Sequence, residues 1–213
     1  MSEPRVIDLE TWDRREAFAL FRGFGFPYLS VTAEIDVSTL RRSQRRLGAS
    51  FTVGLVYALA RAANEIPAFR RRLRGAGAVE HAIVHPSITV LADGDLFRFA
   101  TLRYDPDFER FAGDATERIK QARRAETLWS EPDRDDLLYM TALPWISFTA
   151  LVHPVPLDPP CSVPRIAWGR FRVDRRRTLL PLNVQAHHAL VDGIDVGRFY
   201  ARAEEIAARP DHA

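Results

Sequence analysis

The sequence predicts one α/β domain, a two-layer sandwich in which helices cover a mixed β-sheet. Segments with helical spacing of apolar residues alternate with long strand-like runs, which is typical of this class. A chain of 213 residues that is 46% hydrophobic can bury one sizeable core but not two. The Pro-rich stretch 156–160 is too short to act as a linker, so residues 1–213 are expected to form a single domain.

The first third of the chain predicts three helices and one strand. Thr11 is the expected N-cap of the first helix, and Gly23 is expected to end it. Gly48 is expected to end the second helix and Ser50 to cap the third. The predicted elements are a helix at 11–22, a strand at 28–35, a polar helix at 36–46 and a core helix at 51–64.

The rest of the chain predicts strands, a long amphipathic helix, a hairpin and a final helix. Asp93-Gly94 is a turn signal, and Pro106 is the expected start of the amphipathic helix, which ends near Arg124. Residues 131–136 are expected to form a charged loop. The predicted strands lie at 82–84, 87–91, 96–103 and 137–151, the hairpin arms at 166–173 and 178–185, and the last helix at 194–208.

Composition and charge exclude several classes of protein. With 30 basic and 28 acidic residues the formal net charge is +2, too small for a nucleic-acid-binding surface. The longest apolar run, at 51–60, is about half of what a bilayer requires, and the charged N-terminal segment does not resemble a signal peptide. The lone Cys161 cannot form an internal disulfide. We therefore expect a cytoplasmic protein with no membrane or nucleic-acid partner.

Three clusters of arginine are interpreted as solvated faces rather than binding patches. They fall in a predicted helix, at a helix end and in a hairpin turn, and acidic residues nearly balance them over the whole chain. The clusters are Arg41-Arg42 with Arg45-Arg46, Arg70 to Arg72 with Arg74, and Arg175 to Arg177.

The most informative segment runs from Pro181 to Gly193, where a predicted strand leads His187 and His188 into a turn before the last helix. Histidine suits removal of a proton from a hydroxyl or thiol in acyl transfer, because its ordinary pKa is close to neutrality. Asp192 could orient the turn or the imidazole. On the residues alone, a structural or surface role is the commoner one for such a pair. A metal site is disfavoured, because no other histidine or cysteine stands at ligand spacing.

This segment resembles the His-His-Ala-x-x-Asp-Gly signature of the chloramphenicol acetyltransferases. Residues 12–18 resemble the family's Trp-x-Arg-(Arg/Lys)-Glu-x-Phe motif, and residues 142–148 resemble its Ala-x-Pro-Trp-x-x-Phe segment. Residues 180–182 and 195–199 continue the pattern, so the resemblance covers nearly the whole chain in order. It implies the two-layer fold of the CoA-dependent acyltransferases.

The resemblance implies direct O-acetyl transfer from acetyl-CoA, a co-substrate, to an acceptor hydroxyl, with no permanently bound cofactor and no metal. Chloramphenicol is the implied acceptor, and its inactivation the implied role. His188 is implied to be the general base, and Thr141 stands where the family has a serine whose hydroxyl stabilises the oxyanion. Asp192 is implied to pair with Arg14 and so fix the catalytic turn, and Cys161 is implied to have no part in the reaction.

The resemblance also implies an apolar acceptor pocket and a site for the CoA nucleotide formed by Arg170 and Phe171. Phe21 stands where the resistance enzymes commonly have a tyrosine, and Ala167 where they commonly have a threonine. Two hydroxyls are therefore missing from this pocket. The implied pocket residues are Leu20, Phe21, Leu29, Phe97, Phe99 and Ala167.

A homotrimer is the implied assembly, with the histidine from one subunit and much of the acceptor pocket from its neighbour. Two alternatives stay open. One is the same chemistry on a different small alcohol or thiol, as in the acyltransferase cores of 2-oxo acid dehydrogenase complexes, which share His-x-x-x-Asp-Gly. The other is a non-catalytic oligomeric homologue, which the intact His188, Asp192 and Arg14 disfavour.

Overall fold

The computed structural model of the protein describes residues 3–128 and 134–210, so the first part of the predicted loop at 131–136 lies outside the described residues. Within these ranges the chain forms α-helices and two β-sheets. The helices are α1 (Arg15–Arg22), α2 (Ser38–Arg46), α3 (Phe51–Asn64), α4 (Phe108–Arg123) and α5 (Gly193–Ala208). The strands are β1 (Arg5–Val6), β2 (Tyr28–Asp36), β3 (Arg71–Arg74), β4 (Gly77–Glu80), β5 (His85–Leu91), β6 (Phe97–Thr101), β7 (Leu137–Leu143), β8 (Arg165–Gly169), β9 (Arg172–Asp174) and β10 (Arg177–His187).

The main sheet is mixed and has the strand order β2-β10-β8-β7-β5-β6, with β9 paired to β10. β7 runs parallel to both β5 and β8, and the other pairs are antiparallel. The predicted fold class, a mixed sheet covered by helices, is confirmed. A smaller antiparallel sheet has the order β1-β4-β3.

The two faces of the main sheet differ in character because side chains alternate along each strand. Along β10, Leu182, Val184 and Ala186 belong to the buried core that also contains α3 and α5. Asn183 and Gln185 between them are also buried, but lie on the opposite face. There Asn183 Nδ2 donates to Leu151 O (3.1 Å), and His153 N donates to Gln185 Oε1 (2.8 Å). The segment after β7 thus covers the face that lacks helices.

The helix boundaries follow local capping, with one correction at the first helix. Ser50 caps α3 as predicted, because its Oγ accepts from Val53 N at 3.4 Å. Thr11 is not an N-cap: its hydroxyl donates to Asp8 Oδ2 at 3.0 Å, and α1 begins only after Arg14. The charged carboxylate nearby satisfies the hydroxyl, so the helix starts later than the sequence suggests.

Several strand predictions were too long or misplaced. β7 ends at Leu143 rather than at residue 151, because Pro144 cannot donate to the ladder. The predicted strand 166–173 divides into β8 and β9 after Gly169, where a Cβ atom would lie 2.7 Å from Ile146 O. Residues 82–84 are not a strand, and the hairpin of β3 and β4 that precedes them was not predicted.

The interpretation of the arginine clusters as solvated faces is wrong for Arg72. This residue is fully buried on β3, and its guanidinium donates to the carbonyls of Phe69, Asp135 and Leu137 at 2.6–2.9 Å. Burial lowers the pKa of Arg72 to about 10. Its hydrogen bonds join β3 to the start of β7, a structural role that a run of arginines does not reveal.

Candidate active site

The turn after β10 holds His188 in one orientation. Its backbone N–H donates to Pro27 O at 2.7 Å. Its Nδ1 atom lies 3.1 Å from Val191 O and 3.3 Å from Asp192 Oδ1. Since both neighbours of Nδ1 are oxygen acceptors, the proton of the neutral ring belongs on Nδ1, which leaves a lone pair on Nε2. An imidazole in this tautomer can accept a proton at Nε2.

The Phe21 ring stacks on the imidazole of His188, with the ring centroids 3.9 Å apart and the planes 16° from parallel. Phe21 lies on α1, so this helix fixes the plane of the His188 imidazole. The turn fixes the position of the Nδ1 atom of His188. Leu20, the neighbouring predicted pocket residue, is 57% exposed. Leu29 instead packs against the core and is partly buried.

Arg14, at the start of α1, ties the turn to the rest of the molecule. Its Nε donates to Ala189 O at 2.9 Å and its Nη2 to Asp192 Oδ1 at 2.8 Å, and the guanidinium also contacts His188 O. Asp192 caps α5 and pairs with Asp195 in a capping box. Burial lowers the pKa of Arg14, and the charge of Asp195 opposes that shift. Arg14 and Asp192 therefore meet as the resemblance implied.

His187 faces the opposite way from its neighbour and is 1% exposed. Its Nδ1 accepts from Ala189 N at 3.2 Å, and its Nε2 has no hydrogen-bond partner among the described residues. Burial, with the charge of Arg22 as a smaller cause, lowers the pKa of His187 to about 4. This ring is thus neutral at pH 7 and shielded from solvent.

Thr141 lies in β7 on the face of the sheet that lacks helices. Its Oγ1 is 2.7 Å from Thr89 Oγ1, and one of the two hydroxyls donates to the other. Thr141 pairs with Ala167 on β8, so their side chains share that face. Ala167 is completely buried.

A cavity of about 500 Å³ opens between this face and the segment that covers it. The rings of Phe97 and Phe99 meet edge to face at 5.5 Å in its wall. Thr141 and these two rings are predicted site residues, whereas Cys161 and Arg165 were not predicted. The cavity is lined by Thr89, Phe97, Phe99, Tyr139, Met140, Thr141, His153, Pro154, Pro156, Cys161 and Arg165.

Sequence reasoning could have found Arg165 from its position, because it stands two residues before Ala167 and so shares its face of β8. Cys161, which the resemblance implies to have no part in the reaction, also lines the cavity. It belongs to the segment that covers the sheet, and the path of that segment cannot be predicted from local sequence patterns.

The predicted CoA residues lie elsewhere, at the break between β8 and β9. Arg170 is exposed, and its backbone N–H donates to Ile146 O at 2.7 Å. The ring of Phe171 lies 4.4 Å from the guanidinium carbon of Arg41 and 6.4 Å from the ring of Phe51. Arginine and aromatic groups together suit a phosphate and an adenine.

The predicted site residues thus form two groups within one chain. Asn183 on β10 aligns with Ala167 and hence with Thr141, and His188 lies five residues farther along. Two strand spacings, four strand residues from Asn183 to His187 and one further residue in the turn give a Cα separation of about 19 Å between Thr141 and His188. These two side chains cannot contact one substrate atom in a single chain.

The protein is similar to known proteins along nearly its whole length, including the segments that contain Arg14, Thr141 and His188. Residues 3–203 match the family model described as chloramphenicol acetyltransferase. The chain belongs to the chloramphenicol acetyltransferase family. It is therefore an acyltransferase, and acetyl-CoA is the co-substrate of its family.

Relatives of the family resemble the protein over almost its whole length. Chloramphenicol acetyltransferase 2 of Escherichia coli is 30% identical over 195 residues, which cover 91% of this chain and 92% of the relative. The chloramphenicol acetyltransferase of Streptomyces acrimycini is 30% identical over 210 residues, covering 97% and 96%. A solved chloramphenicol acetyltransferase superposes with a TM-score of 0.90 at 26% identity, over 96% of this chain and all of that one.

More distant structures share the fold. The dihydrolipoamide acetyltransferase of Azotobacter vinelandii has a TM-score of 0.69 at 18% identity, over the whole of this chain and 93% of that one.

The described residues contain neither a cluster of metal ligands nor a helix that could span a membrane. No group of three or more His, Cys, Asp or Glu side chains within 3–128 and 134–210 is placed to hold a metal ion. In the same ranges, no helix combines the length and hydropathy that a transmembrane span requires.

Proposed function

We propose that this acyltransferase transfers the acetyl group of acetyl-CoA directly to a hydroxyl of chloramphenicol, with His188 as the general base. The observation that supports this most strongly is the pair of oxygens around Nδ1, because it leaves Nε2 as the basic nitrogen. Inactivation of the antibiotic is the proposed role, by analogy with the named relatives.

The proposed reaction needs no acyl-enzyme. Nε2 of His188 removes the proton of the acceptor hydroxyl while the hydroxyl oxygen attacks the thioester carbonyl carbon of acetyl-CoA. The carbonyl π electrons move to oxygen, and the hydroxyl of Thr141 donates to this oxyanion. Collapse re-forms the carbonyl and breaks the carbon–sulfur bond, and the protonated imidazole returns its proton to the CoA thiolate.

We propose that the acting unit is a homotrimer with each site between two subunits. The separation of about 19 Å between Thr141 and His188 supports this, because both must lie within a few ångströms of the reacting carbonyl. Large apolar side chains in the segment around Phe21 are also exposed in the single chain, including Leu20 at 57% and Phe24 and Phe26 at 50% each. His188 of one copy would then face the cavity of the next.

The proposal is tested by release of the CoA thiol, followed with a thiol-reactive chromophore, in the presence of acetyl-CoA and chloramphenicol. We expect acceptor-dependent release and the appearance of O-acetylated chloramphenicol by mass spectrometry. Because Phe21 and Ala167 remove two hydroxyls from the predicted pocket, we expect a kcat/KM reduced by a few-fold to about tenfold for each missing hydrogen bond. Thiol release with other alcohols but none with chloramphenicol would contradict the assigned acceptor.

A further inference from the structure

Arg165 is a buried cation in the wall of the acceptor cavity. Arg165 is only 9% exposed. It pairs with Tyr139 on β7, so the two side chains lie on the same face of the sheet. The guanidinium carbon lies 5.3 Å from the centroid of the Tyr139 ring. The strand therefore presents a positive charge to a cavity that is otherwise mainly aromatic and apolar.

The guanidinium of Arg165 has few partners for its five N–H groups. Nη1 donates to Val163 O at 3.2 Å, and both Nη atoms lie 3.6 Å from Cys161 Sγ, a weak acceptor. Among residues 3–128 and 134–210, no carboxylate lies within salt-bridge distance of it. The buried Arg72 and the partly buried Arg14 contrast with this, because Arg14 pairs with Asp192 and Arg72 donates to carbonyl groups.

A buried charge is unfavourable unless an opposite charge or several hydrogen bonds compensate it. An anionic group in the cavity would provide both, and a carboxylate fits the planar fork of a guanidinium through two hydrogen bonds. The rings of Phe97 and Phe99 in the same cavity favour an aromatic body for the molecule that carries this group.

We propose that Arg165 determines acceptor specificity by selecting alcohols that carry a carboxylate on an aromatic body. This inference rests on the proposed acetyl transfer and concerns the acceptor side of the same site. Chloramphenicol, which has no carboxylate, is then an acceptor that leaves the Arg165 charge uncompensated.

The test compares two benzyl alcohols that differ in their para substituent, a carboxylate in 4-(hydroxymethyl)benzoate and a methyl group in 4-methylbenzyl alcohol. Thiol release from acetyl-CoA is measured for the wild type, for Arg165→Met, and for Arg172→Met as a control, since Arg172 is an exposed arginine paired with Glu34. We expect the wild type and the control to prefer the carboxylate by about tenfold to a hundredfold in kcat/KM. Arg165→Met should remove this preference, so that its kcat/KM values for the two alcohols become nearly equal, and circular dichroism checks that the variant is folded.

Equal use of the two alcohols by the wild type, or an unchanged preference in Arg165→Met, would overturn the inference. Calorimetric titration of the wild type with 4-methylbenzoate and with 4-methylbenzamide measures the two binding affinities. This second test requires neither a folded variant nor turnover. We expect 4-methylbenzoate to bind at least tenfold more tightly than 4-methylbenzamide. Equal affinities would also overturn the inference. Failure of the proposed acetyl transfer is distinguishable, because no alcohol, chloramphenicol included, would then release thiol.

Discussion

At the residue scale, the two adjacent histidines differ in their surroundings, and the proposed function gives them different roles for that reason. His188 is partly exposed, with Nδ1 held by Val191 O and Asp192 and one ring face covered by Phe21. His187 is buried and points into the fold. The residue types alone do not distinguish the two histidines, and only the resemblance to the family signature assigned the general base to His188.

We predict that His188→Gln reduces kcat by about 10²–10⁴, because general-base catalysis typically contributes that much. His187→Asn should reduce it by less than about tenfold, because Oδ1 of asparagine can still accept from Ala189 N. Steady-state thiol release measures both, and circular dichroism checks that each variant is folded. An inactive His187 variant beside an active His188 variant would reverse the assignment.

The pKa of His187, lowered by burial to about 4, predicts a contribution to acid sensitivity. An unfolded histidine takes up a proton near pH 6.5, whereas the folded one does so only near pH 4. Between these values the unfolded chain binds more protons, so folding stability falls as the pH falls, by at most about 3 kcal/mol. His187→Asn should lose less stability than the wild type from pH 7 to 4.5 in urea unfolding. Parallel losses in the two proteins would contradict this explanation.

At the element scale, the contact between α1 and the start of α5 fixes the catalytic turn. Arg14 lies just before α1 and Asp192 just before α5, 178 residues apart in sequence. Their meeting brings both helices against the segment that contains His188. The pair is only partly buried, because the Asp192 side chain is 37% exposed.

We predict that Arg14→Met and Asp192→Asn each lower both stability and activity, with a coupling energy of about 1–3 kcal/mol in a double-mutant cycle. The cost of 3–5 kcal/mol known for fully buried pairs is an upper bound here. The matched control is the exposed pair of Arg172 and Glu34, for which the coupling should be much smaller because solvent screens both charges. Strict additivity for Arg14 and Asp192 would show that their contact does not stabilise the turn.

The sequence predicted the helices better than the strands. Capping and periodicity located α3, α4 and α5 to within a few residues, because these signals are local. The end of β8 was missed, since it depends on the close passage of the Ile146 carbonyl, a contact distant in sequence. The β3–β4 hairpin was missed because β3 consists largely of arginine, which is not a strand signal.

The candidate site was also predictable only in part, because local motifs name residues but do not show contacts between segments distant in sequence. Family motifs named His188, Arg14, Asp192 and Thr141, and the turn brings the first three together. The charge in the acceptor cavity was not anticipated, because an arginine within an alternating strand has the same pattern whether it faces solvent or a cavity. The face that Arg165 shares with Ala167 on β8 is the available sequence signal, and the position of the covering segment, which includes Cys161, then closes the cavity over that face.

At the scale of the whole molecule, one chain contains the parts of the proposed acetyl-transfer site without joining them. His188 and its supports lie beyond the end of β10, and the cavity with Thr141 lies across the sheet, about 19 Å away. A cyclic assembly with head-to-tail contacts joins such parts by placing each histidine against a neighbour's cavity. The exposed rings of Phe24 and Phe26 would be buried in the same contact.

The most direct measurement is complementation between two inactive variants, His188→Ala and Thr141→Trp, the second of which fills the cavity. Each is purified, shown to be folded, and inactive alone; the two are then unfolded together, refolded at equal concentration, and assayed for thiol release. If each site combines His188 of one subunit with the cavity of another, random assembly leaves both parts intact in about one quarter of the sites, and activity should return to about that fraction of the wild-type value. No recovery in mixed oligomers, verified by native mass spectrometry, would contradict a site shared between subunits.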